Sequence, residues 1–184
     1  MLINDPDGQA AHVTKSHQLE TTSITKTQDR HENQDSGAVW SYCFDAVNPV
    51  AADDFFIYIK NTNSHDYVVT DFRLWSTTTG GNVMIHKVSG TPSYAAGGTD
   101  VAAIPRNTKF TSTPDLIFKT DTDITGLNDD GIWFPMTLDN VGHMEHLQTT
   151  AGIILGANGA MGLSWSAATG EISGLISIAL IDET

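Results

Sequence analysis

From residue 38 onward, short apolar segments alternate with clusters of glycine, asparagine, aspartate and other turn-forming residues. The apolar segments are residues 38–44, 54–60, 67–76, 82–89, 101–104, 116–119, 131–138, 143–147, 152–155, 161–165 and 172–181. Many short segments separated by such turns are typical of a β-sandwich or barrel. The pattern therefore predicts an all-β domain with, at most, one short helical turn within residues 143–150.

Three segments show the alternation expected of a strand with one buried face, and in one of them, 82–89, the division between the two faces is ambiguous. In the last segment, the apolar face carries Ile172, Ile176, Ile178 and Leu180. In segment 67–76, one face is predicted to carry Val68, Thr70, Phe72 and Leu74, opposite Val69, Asp71, Arg73 and Trp75. Residues 55–59 are apolar on both faces, which predicts a central strand that is covered on both sides.

Residues 1–36 differ from the rest of the chain because they are mostly polar. From residue 14 to the end of this segment, only Leu19 and Ile24 are strongly apolar. Such a segment buries too little surface to fold alone, although its Thr-rich part, 18–27, has the composition of an edge strand. A flexible terminus is one interpretation. We predict instead an extended N-terminal arm that becomes ordered on a neighbour, followed by a β-sandwich domain over residues 37–184.

The chain is acidic, with 22 acidic and 9 basic residues and a formal net charge of −13. Such a charge repels nucleic acid and anionic lipid, so neither is expected as a partner. Solubility explains the charge most simply, and a basic partner surface is the alternative. The N-terminal sequence MLINDPDG lacks the basic and apolar regions of a signal peptide. No segment approaches the roughly 20 apolar residues of a membrane helix, so we expect a protein made in a cytosol.

Cys43 is the only cysteine, so no internal disulfide can form. It lies within the apolar segment 38–44, and no basic or histidine residue is adjacent to lower its pKa. The sequence therefore predicts a buried, unreactive thiol.

Two patterns invite a metal interpretation. His143 and His146 are three residues apart, whereas zinc proteases place two histidines four apart on one helix face. The segment beginning at Asp121 opens like a calcium loop, but Ile132 stands where such a loop needs a carboxylate. Exposed histidines and Asp-rich turns are the simpler interpretation, so no metal-ligating residue is predicted.

The sequence also lacks a recognisable catalytic motif. Residues 162–166 approach the Gly-x-Ser-x-Gly elbow of a hydrolase, but Ser166 replaces the final glycine and no helix follows. Phosphate-binding and dinucleotide-binding glycine motifs are missing. We therefore predict a non-enzymatic protein with no catalytic or cofactor-binding residue and no cofactor.

The four tryptophans leave a binding function open. Trp40, Trp75, Trp133 and Trp165 all lie in predicted strands. Packing in the core is the expected use of such residues. Exposure of Trp75 and Trp133 in one patch would instead favour a carbohydrate-binding module.

Residues 53–62 and 66–74 resemble a hairpin of jelly-roll structural proteins from tailed phages. They combine an aromatic-rich strand, an Asn-Thr turn, an acidic residue and a strand of alternating aliphatic residues. Residues 88–92, which precede a Gly-Gly turn, and residues 152–155, which precede the two final strands, are similar to such proteins too. The resemblance spans roughly residues 38–181 and carries no catalytic residue.

This resemblance implies a jelly-roll β-sandwich on a virion surface, forming a homo-oligomer with a trimer favoured. It implies a structural protein of a bacteriophage particle, assembled in the host cytoplasm, and does not by itself distinguish the head from a tail or adaptor position. The predicted arm and the solubility of the chain favour a head decoration (cement) protein. The expected partner is the major capsid protein or another virion protein. The arm would bind the head and the sandwich would self-associate. The alternative is a carbohydrate-binding or receptor-binding module of a tail or fibre.

Overall fold

The computed structural model describes residues 12–13, 19–20, 37–167 and 169–181, and these contain strands but no helix. Two short strands, β1 (His12–Val13) and β2 (Leu19–Glu20), precede the body. The strands of the body are β3 (Val39–Val47), β4 (Asp54–Asn61), β5 (Asp66–Ser76), β6 (Gly81–Tyr94), β7 (Thr99–Asp100), β8 (Ala103–Pro105), β9 (Leu116–Leu138), β10 (Glu145–Leu155), β11 (Ala160–Trp165) and β12 (Ile172–Ile181).

The body strands form two antiparallel sheets. The first sheet has the order β10-β5-β12-β3-β8, and the second has the order β4-β11-β6-β9-β7. The long strands pair in nested fashion, since β3 pairs with β12, β4 with β11, β5 with β10 and β6 with β9. The pairings of β12 with β5 and of β11 with β6 join these pairs into sheets, and β8 and β7 add to the edges by pairing with β3 and β9. This is the strand order of a jelly roll, so the predicted all-β sandwich is confirmed.

The core lies between the sheets and draws on nearly every long strand. Its largest fully buried side chains include Trp165, Tyr42, Phe56, Phe72, Ile57, Ile59, Leu74 and Ile85. Each such side chain contributes roughly 1.5–3 kcal/mol through its removal from water. The predicted face of β12 is confirmed, because Ile172, Ile176 and Ile178 are fully buried in this core.

In β5 the predicted facing is wrong for the first half of the strand. Phe72 and Leu74 lie in the core as predicted, but Val69 lies there too, although it has the opposite parity. The ladder with β12 shifts register at this point and leaves Thr70 as an extra residue. A bulge of this kind exchanges the two faces of a strand, and Val68 consequently joins a separate apolar cluster.

The Asp-rich segments 121–126 and 128–131 are not turns between strands, because both lie inside the 23-residue strand β9. The strand pairs first with β4 and then with β6, so the second sheet curls onto itself. Gly126 and Gly131 adopt φ values of 75° and 131° where the strand bends, a region that favours glycine. The curl encloses a second apolar cluster, which contains Tyr58, Val88, Ile124 and Ala160.

Two smaller expectations are also wrong. Residues 53–62 and 66–74 do not form a hairpin, because β4 and β5 belong to opposite sheets. Residues 145–150 form the start of β10 rather than a helical turn, since residues 145–148 pair with β5 and place Leu147 against the core. Both differences arise from the nested pairing, which sends successive strands to different sheets.

The predicted N-terminal arm, residues 1–36, lies outside the described residues except for β1 and β2. These two strands pair with each other, with His12 opposite Glu20 and Val13 opposite Leu19, and they belong to neither large sheet. Within the described ranges, no helix is long and apolar enough to span a membrane.

Two isoleucines of the first sheet test the assignment of its faces. Ile178 on β12 is fully buried in the core, whereas Ile154 on β10 is 56% exposed. We expect Ile178→Ala to lower the free energy of unfolding by about 2–5 kcal/mol, through lost transfer energy and a cavity. The matched variant Ile154→Ala should change it by less than about 1 kcal/mol. Urea titration followed by tryptophan fluorescence measures both, and equal losses would contradict the assignment.

Candidate functional site

The histidine and aspartate residues weighed as metal ligands do not converge. Among the described residues, no group of three or more His, Cys, Asp or Glu side chains is arranged to hold a metal ion. His143 Nδ1 lies 3.1 Å from Glu145 Oε1, and His146 Nε2 contacts Asp71 on β5. Asp121 lies on β9, where backbone groups bind it. Each side chain therefore has a local partner of its own.

Asp121 organises the turn between β6 and β7. Its carboxylate accepts hydrogen bonds from the backbone N–H of Ala96 at 3.0 Å and of Gly98 at 2.8 Å. Burial raises the pKa of Asp121, but the hydrogen bonds from the backbone at Asp123, Ala96, Gly98 and Thr122 outweigh that effect and lower it overall. The backbone donors thus satisfy the carboxylate, which accounts for its burial.

Asp123 is two residues further along β9 and has the opposite electrostatic situation. Burial raises the pKa of Asp123, and the negative charges of Asp54 and Asp121 raise it further. A charged Asp123 therefore destabilises the folded state, while a charged Asp121 stabilises it.

The tryptophans do not form one platform. Trp40 and Trp165 are buried in the core. Trp133, on β9 of the second sheet, is half-buried and packs against the core. Trp75 is half-buried on β5 of the first sheet, where it is opposite Ser173. Trp75 and Trp133 therefore cannot contribute to one flat sugar-binding patch.

Cys43 is exposed, so the prediction of a buried thiol is wrong. Its neighbours Tyr42 and Phe44 point into the core, and the alternation of β3 places Cys43 on the outer face of the first sheet. Residues on both faces of segment 38–44 are mostly apolar, so the sequence did not show which of them point outward.

The arrangement most similar to a catalytic site joins three residues from three strands of the second sheet. His86 on β6 is buried, and its Nε2 lies 2.9 Å from Ser164 Oγ on β11. On the other side of the ring, His86 Nδ1 lies 3.1 Å from Asp129 Oδ1 on β9. A serine in contact with a histidine, which in turn contacts an aspartate, has the components of a nucleophilic triad.

The contacts of Asp129 explain why this histidine is tolerated in an apolar environment. The backbone N–H of Gly131 donates to Asp129 Oδ1 at 2.9 Å. This bond, followed by the imidazole of His86, lowers the pKa of Asp129, which keeps the carboxylate charged beside the ring. The ring of Phe55 packs edge-on against His86 with centroids 4.9 Å apart.

Two features set this arrangement apart from the usual geometry of a triad. Ser164 is only 3% exposed on a central strand, so its hydroxyl has little contact with solvent. The contact between His86 Nδ1 and Asp129 is short but not aligned as a hydrogen bond, and Nδ1 consequently has no hydrogen-bond partner among the described residues. The three residues form a polar link between β6, β9 and β11 at the edge of the second apolar cluster.

Sequence reasoning missed this link, although it considered Ser164 within the failed hydrolase motif. Ser164 and His86 are 78 residues apart, and only the pairing of β11 with β6 brings them together. Their strand neighbours Leu163 and Ile85 face the main core. The alternation of β11 and β6 therefore places Ser164 and His86 on the face opposite the main core. This shared placement is the signal in the sequence that could have indicated the link.

No protein-family model, curated protein or solved structure matches this chain. Function has therefore to be inferred from the strand order, the surface and the internal sites of the chain itself.

Asp121 and Asp123 provide a matched test of the electrostatics. Near pH 7, Asp121→Asn should lower the free energy of unfolding by about 1–3 kcal/mol, because it weakens hydrogen bonds to a buried carboxylate. Asp123→Asn should leave stability unchanged or raise it, because it removes a repelled charge.

The pH dependence has a defined sign. The lowered pKa of Asp121 means that its contribution is present above its unfolded pKa of about 4 and is lost as pH falls through the lower folded value. Urea titrations between acid and neutral pH should therefore show a smaller loss of stability on acidification for Asp121→Asn than for the unsubstituted protein. If both proteins lost the same free energy of unfolding on acidification, the role given to Asp121 would be contradicted.

Proposed function

We propose that this protein is a non-enzymatic structural component of a bacteriophage particle. Its most specific form is a head decoration, or cement, protein that binds the major capsid protein or another virion protein. The N-terminal arm contacts the head, and the sandwich self-associates, with a trimer favoured. The nested strand order is the observation that carries the proposal, because the jelly roll is a recurrent architecture of viral capsid proteins.

The fold alone does not determine the function, so two further features support the proposal. The described parts of the arm, β1 and β2, belong to neither sheet of the body. Thirty-six residues extend to roughly 120 Å at about 3.3 Å each, which is enough to reach an adjacent subunit. The acidic surface suits an exposed protein that does not contact packaged DNA.

A tail or fibre module that binds carbohydrate or a receptor is the second candidate. The same strand order occurs in lectin domains, which favours it. The positions of the tryptophans count against an aromatic sugar platform, because Trp75 and Trp133 lie on different sheets.

Cosedimentation with phage heads stripped of their decoration protein tests the proposal. The full-length protein should bind the heads saturably. A variant in which residues 2–36 are replaced by a Gly/Ser segment of equal length should lose at least about tenfold in affinity, as expected when one of two linked contacts is removed.

A second variant, with residues 2–36 scrambled, keeps the composition and charge of the arm and serves as the matched control. It should bind as poorly as the Gly/Ser variant if the arm makes sequence-specific contacts. Unchanged binding by both variants would overturn the role of the arm. Failure of the unsubstituted protein to bind any head would overturn the decoration function, and a glycan array would then test the second candidate.

A further inference from the structure

A row of apolar side chains crosses the outer face of the first sheet, the face that points away from the second sheet. Val39, Ala179, Val68 and Ile154 come from the adjacent strands β3, β12, β5 and β10 and lie opposite one another in the ladders. The chain neighbours of each of them pack against the main core, so these four side chains point outward. The row spans roughly 14 Å, at about 4.8 Å per strand.

Three members of this outer row are buried, although an outer sheet face is normally open to water. Ala179 is 0% exposed, Val39 is 1% exposed and Val68 is 4% exposed, whereas Ile154 at the end of the row is 56% exposed. The exposures are those of a single chain without a neighbouring copy. The cover over β3, β12 and β5 therefore belongs to the same chain, and it does not extend to β10.

The described strands account for only part of this cover. Gly152, in the bulge of β10, lies so close to Val68 that an added Cβ would clash with the valine side chain. The bulge thus covers the β5 end of the row. Ala179 and Val39 lie one and two strands further from β10, and the second sheet packs on the other face of their strands. Their cover has to come from another part of the chain.

The connections at this end of the first sheet lead away from its outer face. The loops that follow β8 and β10, and the loop that precedes β5, each connect to a strand of the second sheet. The segments without such a connection are residues 1–36, before β3, and residues 182–184, after β12. The latter are Asp-Glu-Thr and contain no apolar side chain. The N-terminal segment therefore remains as the source of an apolar cover.

The point at which the chain enters the body lies beside the outer row. Gly37 precedes Val39 by two residues and has a φ of 66°, a region that favours glycine, so the chain turns there. The carbonyl of Ala38 accepts a hydrogen bond from the N–H of Leu180 at 2.9 Å, which fixes the entry beside β12. Residues 14–36 extend to roughly 75 Å at about 3.3 Å each, far more than the width of the row.

Charge favours this segment over a second copy of the body as the cover. Residues 37–184 carry sixteen acidic and six basic residues, so two bodies repel each other. Residues 14–30 carry three basic and two acidic residues. The segment also includes two strongly apolar residues, Leu19 and Ile24, that can pack on valine and alanine.

We propose that residues 14–36 fold back from Gly37 and dock on the outer face of the first sheet of the same chain, where Leu19 and Ile24 cover Val39 and Ala179. The proposal concerns the free protein and does not rest on the proposed role in a phage particle. A head would then be contacted by residues 1–13, or by the whole arm once it leaves this face.

A thiol at position 39 tests the proposal in the full-length protein. Cys43→Ser removes the native thiol, and Val39→Cys then places a single thiol of similar size under the proposed cover. Its reaction with a charged aromatic disulfide, followed by the colour of the released thiolate, should be slow relative to the rate in urea. Replacement of residues 2–36 by a Gly/Ser segment of equal length should make it at least about tenfold faster, because the thiol then reacts without a local opening.

Two further thiols in the Cys43→Ser background are the matched controls. Thr137→Cys occupies an exposed position of β9 in the second sheet and should react rapidly with either arm. Ile178→Cys lies in the core next to the outer row in sequence and should stay protected with either arm. Its protection shows that the Gly/Ser protein keeps its sandwich folded.

A pair of point substitutions gives a second test that retains the rest of the arm and stays informative if the Gly/Ser protein does not fold. Leu19→Ser combined with Ile24→Ser should also speed the reaction of the thiol at position 39, because it removes the apolar cover. Thr21→Ser combined with Thr27→Ser changes polar positions of the same segment and should leave the rate unchanged.

Equal rates at position 39 with the native and the substituted arms would overturn the proposal, whether the thiol is protected in all of them or open in all of them. Protection that increases with protein concentration would overturn it as well, because the cover would then come from a second copy. Protection that is lost with the arm and does not depend on concentration would support it.

Discussion

The structure depends on one constraint: each sheet can bury its apolar face only against the other sheet. A single antiparallel sheet with this sequence would leave residues such as Phe72, Ile178 and Trp165 in water. Nested pairing solves the problem, because β3 pairs with β12 while the strands between them distribute over both sheets. The order of pairing also places the two chain ends of the body side by side, since β3 begins it and β12 completes it.

The sequence predicted those parts of the fold that depend on local alternation. Strand β12 matches its predicted bounds, and its buried isoleucines match the predicted face. Strand β12 lies in the middle of the first sheet, between β3 and β5. Its alternation of apolar and polar residues therefore reflects its buried and outer faces. In β5 the same reasoning failed for the residues before Thr70, because a bulge depends on the register with β12. Register is a property of two strands, and one segment of sequence does not contain it.

Strand β9 shows a second kind of limit. Its Asp and Gly residues have the composition of turns, yet the chain continues as one bent strand through them. The bend lets β9 pair with both β4 and β6, and this tertiary advantage outweighs the local preference for a turn. The buried link of His86 with Ser164 and Asp129 lies beside this bend. Local alternation did not reveal it, because its three members come from the neighbouring strands β11, β6 and β9, whose pairing joins residues far apart in the sequence.

The same constraint explains why an open space of about 320 Å³ lies between β3, β7, β8 and the start of β9. In the middle of the sandwich, long strands of the two sheets lie opposite each other, and their apolar side chains are buried there. At the edge formed by β7 and β8, the last strands are too short to supply side chains along the whole border. The stacked rings of Tyr42 and Phe118 line this border. A fold that closes its centre by nested pairing can therefore leave open space at an edge where the last strands are short.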